Sequence, residues 1–481
     1  MRFLSILLVI LISFGFSQNV RWLYTYNRSQ ADSAKAIVQD INGNLYVAGS
    51  DGDFLVISLT PEGEERWVYR YNGSANGYDC AHSIIYGLDG NLYVAGYVTN
   101  INRGKDMLVV SLTPEGEERW VFVYEEHPYD DVALSIAQNV TGGLCAVGYV
   151  KEGEIYWAWD IELTSEGELR GEGGAGGENP SAMNKVVPGN NYFYYVTGYA
   201  DMAFVIFRVG GGGILVKVFE SEYGDASYFP LFRPDGLIYI AGSLREDFTV
   251  LCCTTDTFLR EKWQYHYNGP GNGDDDAYAI AYGFDNNLYA CGKIIASNLN
   301  SDLTVISLTP DGEERWVYRY NGSADSEDVG YALIYGNDGN IYVAGLSTNE
   351  NTGADLTVIK LTPEGEERWV YRYNGSANGY DCAHSIIYGL DNNLYLSGLV
   401  TNNETGTDII VISLLPQVEI KERFISEDLK INNFNLSQLA NVTIYNPLGK
   451  RVLPHNLNSG IYFLKIKKGK ETIIKKVSIL K

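Results

Sequence analysis

One run of this chain occurs twice. Trp67–Tyr93 returns at Trp369–Tyr395 with a single change, Gly90 against Asn392. Relaxing the match finds eight units, each with a strand-like run such as Asn91-Leu92-Tyr93-Val94-Ala95-Gly96 ending in glycine: Gly49, Gly96, Gly148, Gly198, Gly242, Gly292, Gly345 and Gly398. These glycines are 47, 52, 50, 44, 50, 53 and 53 residues apart, a period that suits a four-stranded blade. Unit 7 shows the four strands: A at 331–335, B at 341–344, C at 356–361 and D at 368–373. The A–B turn is Asn337-Asp338-Gly339-Asn340, and the C–D turn is Thr362-Pro363-Glu364-Gly365. In both, glycine supplies the positive φ that a tight turn needs. The strands are almost continuously apolar, as expected when both faces of each sheet are covered by neighbours.

The phase of the repeat predicts how the array closes. The chain opens on a D-type strand, Trp22–Tyr26, and the array ends on a C-type strand, Ile409–Leu414, with no D of its own. Pairing the two completes the last blade and leaves no open edge. The expected fold is therefore all-β, an eight-bladed propeller closed by the N-terminal strand and followed by a small C-terminal domain. Units 4 and 5 (about 171–262) are degenerate, and unit 4 has Gly210-Gly211-Gly212-Gly213 in place of a Pro-Glu-Gly turn. A seven-bladed ring with one misfit unit is the alternative.

The ends read differently from the body. Arg2, the apolar run Phe3–Phe16 and the small residues of Gly15-Phe16-Ser17 have the form of a signal peptide over 1–17, with the propeller over 18–416. The apolar run is short for a bilayer span, so no membrane span is expected in the mature chain. Formal net charge is −24, which argues against nucleic acid as a partner. From Val418 onward, 12 Lys/Arg stand against 5 Asp/Glu, so charge reverses near Pro416 and marks a second domain at 417–481. None of the six cysteines falls in a CxxC pair, and buried free thiols are expected.

At the level of Leu-Tyr-Val-Ala-Gly, Asp-Gly-Asn and Gly-x-x-x-Trp, the units resemble the bacterial SBBP, or delta-sixty, propeller repeats, and also the blades of quinoprotein-like propellers. The tail, with Asn441–Lys450, Asn458–Lys465 and Lys476–Lys481, is similar to the type A sorting domain of the type IX secretion system. That resemblance implies a small β-sandwich, engagement of the type IX export machinery, and a secreted, extracellular or outer-membrane-surface location. The repeat resemblance speaks for fold and weakly for function.

Antiparallel order puts the A–B and C–D turns on one face (the bottom) and the B–C and D–A loops on the other (the top). The top loops vary more, so a binding face for protein or glycan is expected there. An aspartate precedes strand A in seven units: Asp32, Asp79, Asp131, Asp225, Asp275, Asp328 and Asp381. Another precedes strand C in seven: Asp53, Asp106, Asp201, Asp247, Asp302, Asp355 and Asp408. The first set should ring the top mouth of the channel, either holding Ca²⁺ or, as its repetition favours, accepting local backbone N–H bonds. Asp274-Asp275-Asp276 exceeds the pattern by two charges and is the best single cation candidate. Trp157 stands where strand C usually begins with Asp, and is a candidate ligand platform on the top rim. His82 and His384 are duplicates, better suited to packing than to catalysis. Trp67, Trp120, Trp263, Trp316 and Trp369 recur on strand D as blade-packing residues.

No catalytic set and no required cofactor is found. The reading is a non-enzymatic binding, adhesion or structural module at the cell surface. The alternative is a propeller enzyme, most concretely a quinoprotein-like dehydrogenase, which eight blades and adjacent Cys252-Cys253 invite.

Overall fold

The computed structural model describes residues 20–28, 31–176, 179–189, 192–200, 203–210, 214–219, 225–256 and 258–416, together with five strands within 429–479. The expected signal peptide lies outside the described residues. The chain divides into two compact units, Met1–Pro416 and Gln417–Lys481.

The first unit is an eight-bladed propeller. Every blade is a four-stranded antiparallel sheet ordered A-B-C-D, and the degenerate units 4 and 5 form complete blades like the rest. The A strands of blades 1 to 8 are Ser33–Gln39, Cys80–Tyr86, Asp130–Gln138, Ala182–Pro188, Ala226–Arg233, Asp276–Tyr282, Asp328–Tyr335 and Cys382–Tyr388. Each A strand touches the next around the whole ring, which places them at the axis. Blade 8 takes its D strand, Val20–Tyr26, from the start of the chain. That strand pairs antiparallel with Gly406–Leu414, Tyr24 opposite Val411 and Tyr26 opposite Ile409.

The repeat glycine has a steric reason. All eight A strands carry a bulge, such as Ala81/Ser83 in blade 2 and Ala383/Ser385 in blade 8. The strand-B glycine faces the residue at the bulge, and a Cβ on Gly96 would lie 1.9 Å from Cys80 O. The same clash recurs at all eight glycines, so no other residue fits.

Blades are latched by the strand-D tryptophans. The Nε1 of Trp22, Trp67, Trp120, Trp263 and Trp316 donates to the carbonyl of Pro61, Pro114, Ser165, Pro310 and Pro363, in the C–D turn of the next blade, at 2.9–3.0 Å. Each indole lies flat over that turn's glycine; at Gly116 (φ +90°) a Cβ would come within 2.6 Å of Trp67. The Pro-Glu-Gly turn is thus shaped both by its own left-handed glycine and by the neighbouring indole. An outer set adds to this, with Tyr69 Oη donating to Glu118 at 2.7 Å and Tyr318 to Glu367 at 2.5 Å. The blade faces between are close-packed apolar clusters.

In the second unit the described strands form one five-stranded sheet. Gly460–Lys468 and Glu471–Ile479 make a hairpin, Leu429–Ile431 runs parallel beside the latter, and Val442–Tyr445 pairs with Gly460–Lys468 on its other side. A second layer of a sandwich is not among the described residues.

Candidate functional site

The aspartates before strand A are buried, and most are spent on the backbone. Asp79 accepts from Gly73 N at 2.8 Å and Thr99 N at 2.6 Å. Asp328 accepts from Gly322 N at 2.6 Å and Thr348 N at 2.8 Å; Asp381 accepts from Gly375 N and Thr401 N. Asp225 accepts from Arg245 N and Asp32 from Arg28 N. Each carboxylate ties the D–A loop, the end of strand B, or both, to the inner strand. Burial still lifts Asp275, Asp328 and Asp381 to about 6, with the two amides pulling the other way. The ring is a loop-fixing device repeated blade by blade.

Asp131 is the exception. The loop before it reads Glu125-Glu126-His127-Pro128-Tyr129 where other blades have Asn-Gly-Ser, and Asp131 itself is drawn into strand A opposite Val150. Both its oxygens are buried without a hydrogen-bond partner, and His127 Nδ1 lies 3.7 Å away. Burial, reinforced by Asp106, pushes its carboxyl up to about 8.

The triplet Asp274-Asp275-Asp276 does not converge, which corrects the cation assignment. Asp274 is exposed, and Asp275 accepts from Gly269 N and from Ile295 N. Asp276 begins strand A and pairs with Lys293 at 3.2 Å and with the Tyr278 hydroxyl at 2.9 Å. Consecutive residues of an extended chain point to opposite sides, so three aspartates in a row cannot share one ion. Among the described residues no group of three or more His, Cys, Asp or Glu is arranged to hold a metal.

Three of the aspartates at strand C serve their own hairpins. Asp106, Asp355 and Asp408 accept from Asn100, Asn349 and Asn402 Nδ2 at 2.8–2.9 Å, and Asp53 pairs with Arg28. Asp201 lies outside the described residues. Trp157 sits at the strand-C position opposite Val150, half-buried against Gly176. Cys252 and Cys253 are free, fully buried, and packed in two different clusters on either side of strand C of blade 5.

His82 and His384 are latches at the axis. The Nδ1 of His82 lies 3.0 Å from Ala133 O at the bulge of blade 3, and that of His384 lies 2.7 Å from Ala34 O of blade 1. In blade 4, Asn184 holds the same place and donates to Ser227 O at 2.9 Å. Burial lowers both histidines to about 4, so they stand neutral above that pH.

The bottom face carries a feature that repeat counting did not bring out. The A–B turns of blades 1, 2, 3, 6 and 8 hold Ile41, Leu88, Val140, Phe284 and Leu390 at one position, each 67–77 % exposed. Blade 7 has Asn337 there, so the turn itself does not demand an apolar residue. Blades 8, 1, 2 and 3 are consecutive, and their four side chains form an arc around the bottom mouth. Two of the three blade junctions within it are also tied by glutamines: Leu390 N donates to Gln39 and Leu88 N to Gln138.

Comparison with known proteins supports the architecture. No protein-family model matches the chain, and no curated protein sequence does. Among solved structures, the Sqt1 protein of Chaetomium thermophilum bound to the N-terminus of the ribosomal protein L10 aligns with TM-score 0.54 and 10 % identity, over 81 % of this chain and 98 % of its own. Sqt1 of the same organism alone gives TM-score 0.55 and 10 % identity, over 82 % and 97 %. At that identity the likeness is one of fold: this chain is a β-propeller with eight blades, built from repeats.

Proposed function

We propose that this protein is a non-enzymatic binding module that engages a protein partner through the bottom of its propeller, the face of the A–B and C–D turns. One observation carries the reading: large apolar side chains stand exposed at one turn position in five blades, where blade 7 carries Asn337. Apolar groups held in water without a packing reason are what a docking surface presents. The sequence reading favoured the top loops, but the repeated top-face aspartates are engaged in loop structure. That a propeller of similar architecture holds the N-terminus of another protein is compatible with this role.

Export belongs to the same proposal. The signal-like 1–17 and the tail at 417–481 support delivery by type IX secretion to the cell surface or medium. The quinoprotein alternative gains no support, since Cys252 and Cys253 lie apart in packed strand faces rather than at a channel mouth.

The test is cross-linking on intact cells, comparing the native protein with a variant carrying asparagine at 41, 88, 140 and 390. Partner cross-links from the bottom face that vanish in the folded variant support the reading. Cross-links unchanged by the four substitutions, or confined to top-face loops or glycans, refute it. Sequencing the mature N-terminus of surface material tests export; an intact 1–17 retained inside the cell refutes that part.

A further inference from the structure

What stands beside each exposed apolar side chain of the bottom face narrows the chemistry of its partner. The A–B turn of one blade abuts the C–D turn of the next. At the junction of blades 8 and 1, Arg21 Nη1 lies 3.1 Å from Asp391, next to Leu390, and 2.8 Å from Pro61 O, next to Glu62. At that of blades 1 and 2, Tyr46 Oη donates to Asp40, next to Ile41, and lies 3.3 Å from Pro114 O, next to Glu115. At that of blades 2 and 3, Tyr93 Oη donates to Asp89, next to Leu88, and lies 3.4 Å from Ser165 O, next to Glu166. Each junction of the arc thus sets a large exposed apolar side chain beside a glutamate-bearing turn.

Only some of these glutamates serve the fold. Glu65 and Glu118 accept from the Tyr24 and Tyr69 hydroxyls at 2.5 and 2.7 Å. Glu62 lies 3.8 Å from Arg21, and Glu166 lies 3.3 Å from Arg119. Glu64, Glu115, Glu117 and Glu168 are exposed, and among the described residues their carboxylates have neither an ion pair nor a hydrogen bond. The arginine at each junction, Arg21, Arg66 or Arg119, turns its Nη1 onto the hydroxyl of Tyr395, Tyr46 or Tyr93. Positive charge is drawn into the seams, and negative charge is left outside beside the apolar groups.

We propose that the partner docked on this arc is cationic, a protein segment carrying lysine or arginine beside large apolar side chains. The inference rests on the docking role proposed above and names the chemistry of what docks. Leu390, Ile41, Leu88 and Val140, each 67–77 % exposed, offer the apolar contact. The unpaired carboxylates supply the complementary charge, which selects the partner and speeds its approach. A lysine or arginine fits such a pair, because its methylene stem lies on the apolar side chain while its charged head reaches the carboxylate. The same carboxylates repel an acidic partner.

The assay is fluorescence anisotropy of short labelled peptides with the purified full chain. The peptides are built of Leu-Lys-Ser, Leu-Glu-Ser or Ser-Lys-Ser triplets. The first should bind saturably, about tenfold tighter than either of the others, and should weaken as added salt shortens the reach of exposed charges. Glu64→Gln, Glu115→Gln, Glu117→Gln and Glu168→Gln together should weaken it about tenfold, the loss of a few exposed ion pairs. Glu126→Gln, Glu154→Gln, Glu350→Gln and Glu404→Gln together remove as much charge from exposed top-face positions and should leave binding unchanged, which separates position from net charge. The proposal is overturned if the Leu-Lys-Ser peptide does not bind, if the Leu-Glu-Ser peptide binds as tightly, or if the two sets of glutamines act equally. Failure of the docking role itself looks different: asparagine at 41, 88, 140 and 390 then leaves the binding of every peptide unchanged. Tight Leu-Glu-Ser binding that those four asparagines abolish keeps the docking role and removes the cationic partner.

Discussion

Trp67→Ala breaks one blade latch and leaves the rest of the ring alone. The substitution removes the Nε1 hydrogen bond to Pro114 O at 3.0 Å, a ring contact with Tyr46 at 5.8 Å, and the cover over Gly116. A fully buried tryptophan cut to alanine costs about 3–5 kcal/mol. Trp67 is half-buried, so its apolar share is about 2 kcal/mol, and the hydrogen bond adds about 1. The expected loss is about 3 kcal/mol. Trp369 provides the internal control. It holds the same position and touches Tyr342 at 6.0 Å, but blade 8 has no C–D turn, because its D strand comes from the chain start. Pro416 O is taken by Lys360 Nζ at 2.6 Å instead, and Trp369 Nε1 is buried without a partner. Trp369→Ala should therefore cost about 1–2 kcal/mol less than Trp67→Ala, since it forfeits no hydrogen bond and removes an unsatisfied donor. Urea denaturation followed by far-ultraviolet circular dichroism measures both. Equal costs, or a greater cost at Trp369, would refute the idea that the indole N–H latches the blades.

Acid should loosen the axis. His82 and His384 fold with pKa values near 4 against 6.5 unfolded, so their contribution is present above pH 6.5 and is lost as pH falls to 4. The loss is at most about 3 kcal/mol each, since both rings reach water in part. His82→Asn with His384→Asn copies the latch of Asn184, and should keep neutral-pH stability while flattening the melting-temperature profile from pH 6.5 to 4; an unchanged slope counts against the assignment. Asp131 has the opposite sign. Its folded pKa of about 8 lies above the ordinary 3.8, so stability falls as pH rises through that interval, and Asp131→Asn should raise the melting midpoint at pH 8–9 but not at pH 4. Asp79→Asn should destabilise by about 1–3 kcal/mol at neutral pH, because an amide cannot accept both loop N–H groups; a neutral effect would undo the loop-fixing role.

Much of this architecture could be read from the residues, because propeller construction is repetitive and its demands are local. The glycine ending strand B, the Asp-Gly and Pro-Glu-Gly turns and the unmatched first strand are each dictated by sterics that act within a blade or across one pair of strands. The repetition of Asp79, Asp328 and Asp381 pointed to a loop-fixing role, and their amide partners fit it. The cation assignment to Asp274, Asp275 and Asp276 failed because a charge count ignores direction: one carboxylate faces solvent, one the loop and one Lys293. That blade 3 places Gly171 at the register position of the strand-D tryptophan was hidden for a different reason. A run of glycines reads as degeneracy, and only the register opposite Glu162 shows that one of them stands in for a tryptophan. The exposed apolar turn residues were equally silent, since Ile41 and Leu88 look like ends of strands until exposure is known.

Hydrogen–deuterium exchange of the full chain tests the closure most directly. In the ring described here, the amides of Val20–Tyr26 exchange as slowly as those of Gly406–Leu414, because each strand holds the other. Exchange of 20–26 within seconds, as in a free tail, while 406–414 stays protected, would mean that the first strand does not complete blade 8, and the closed ring would be wrong.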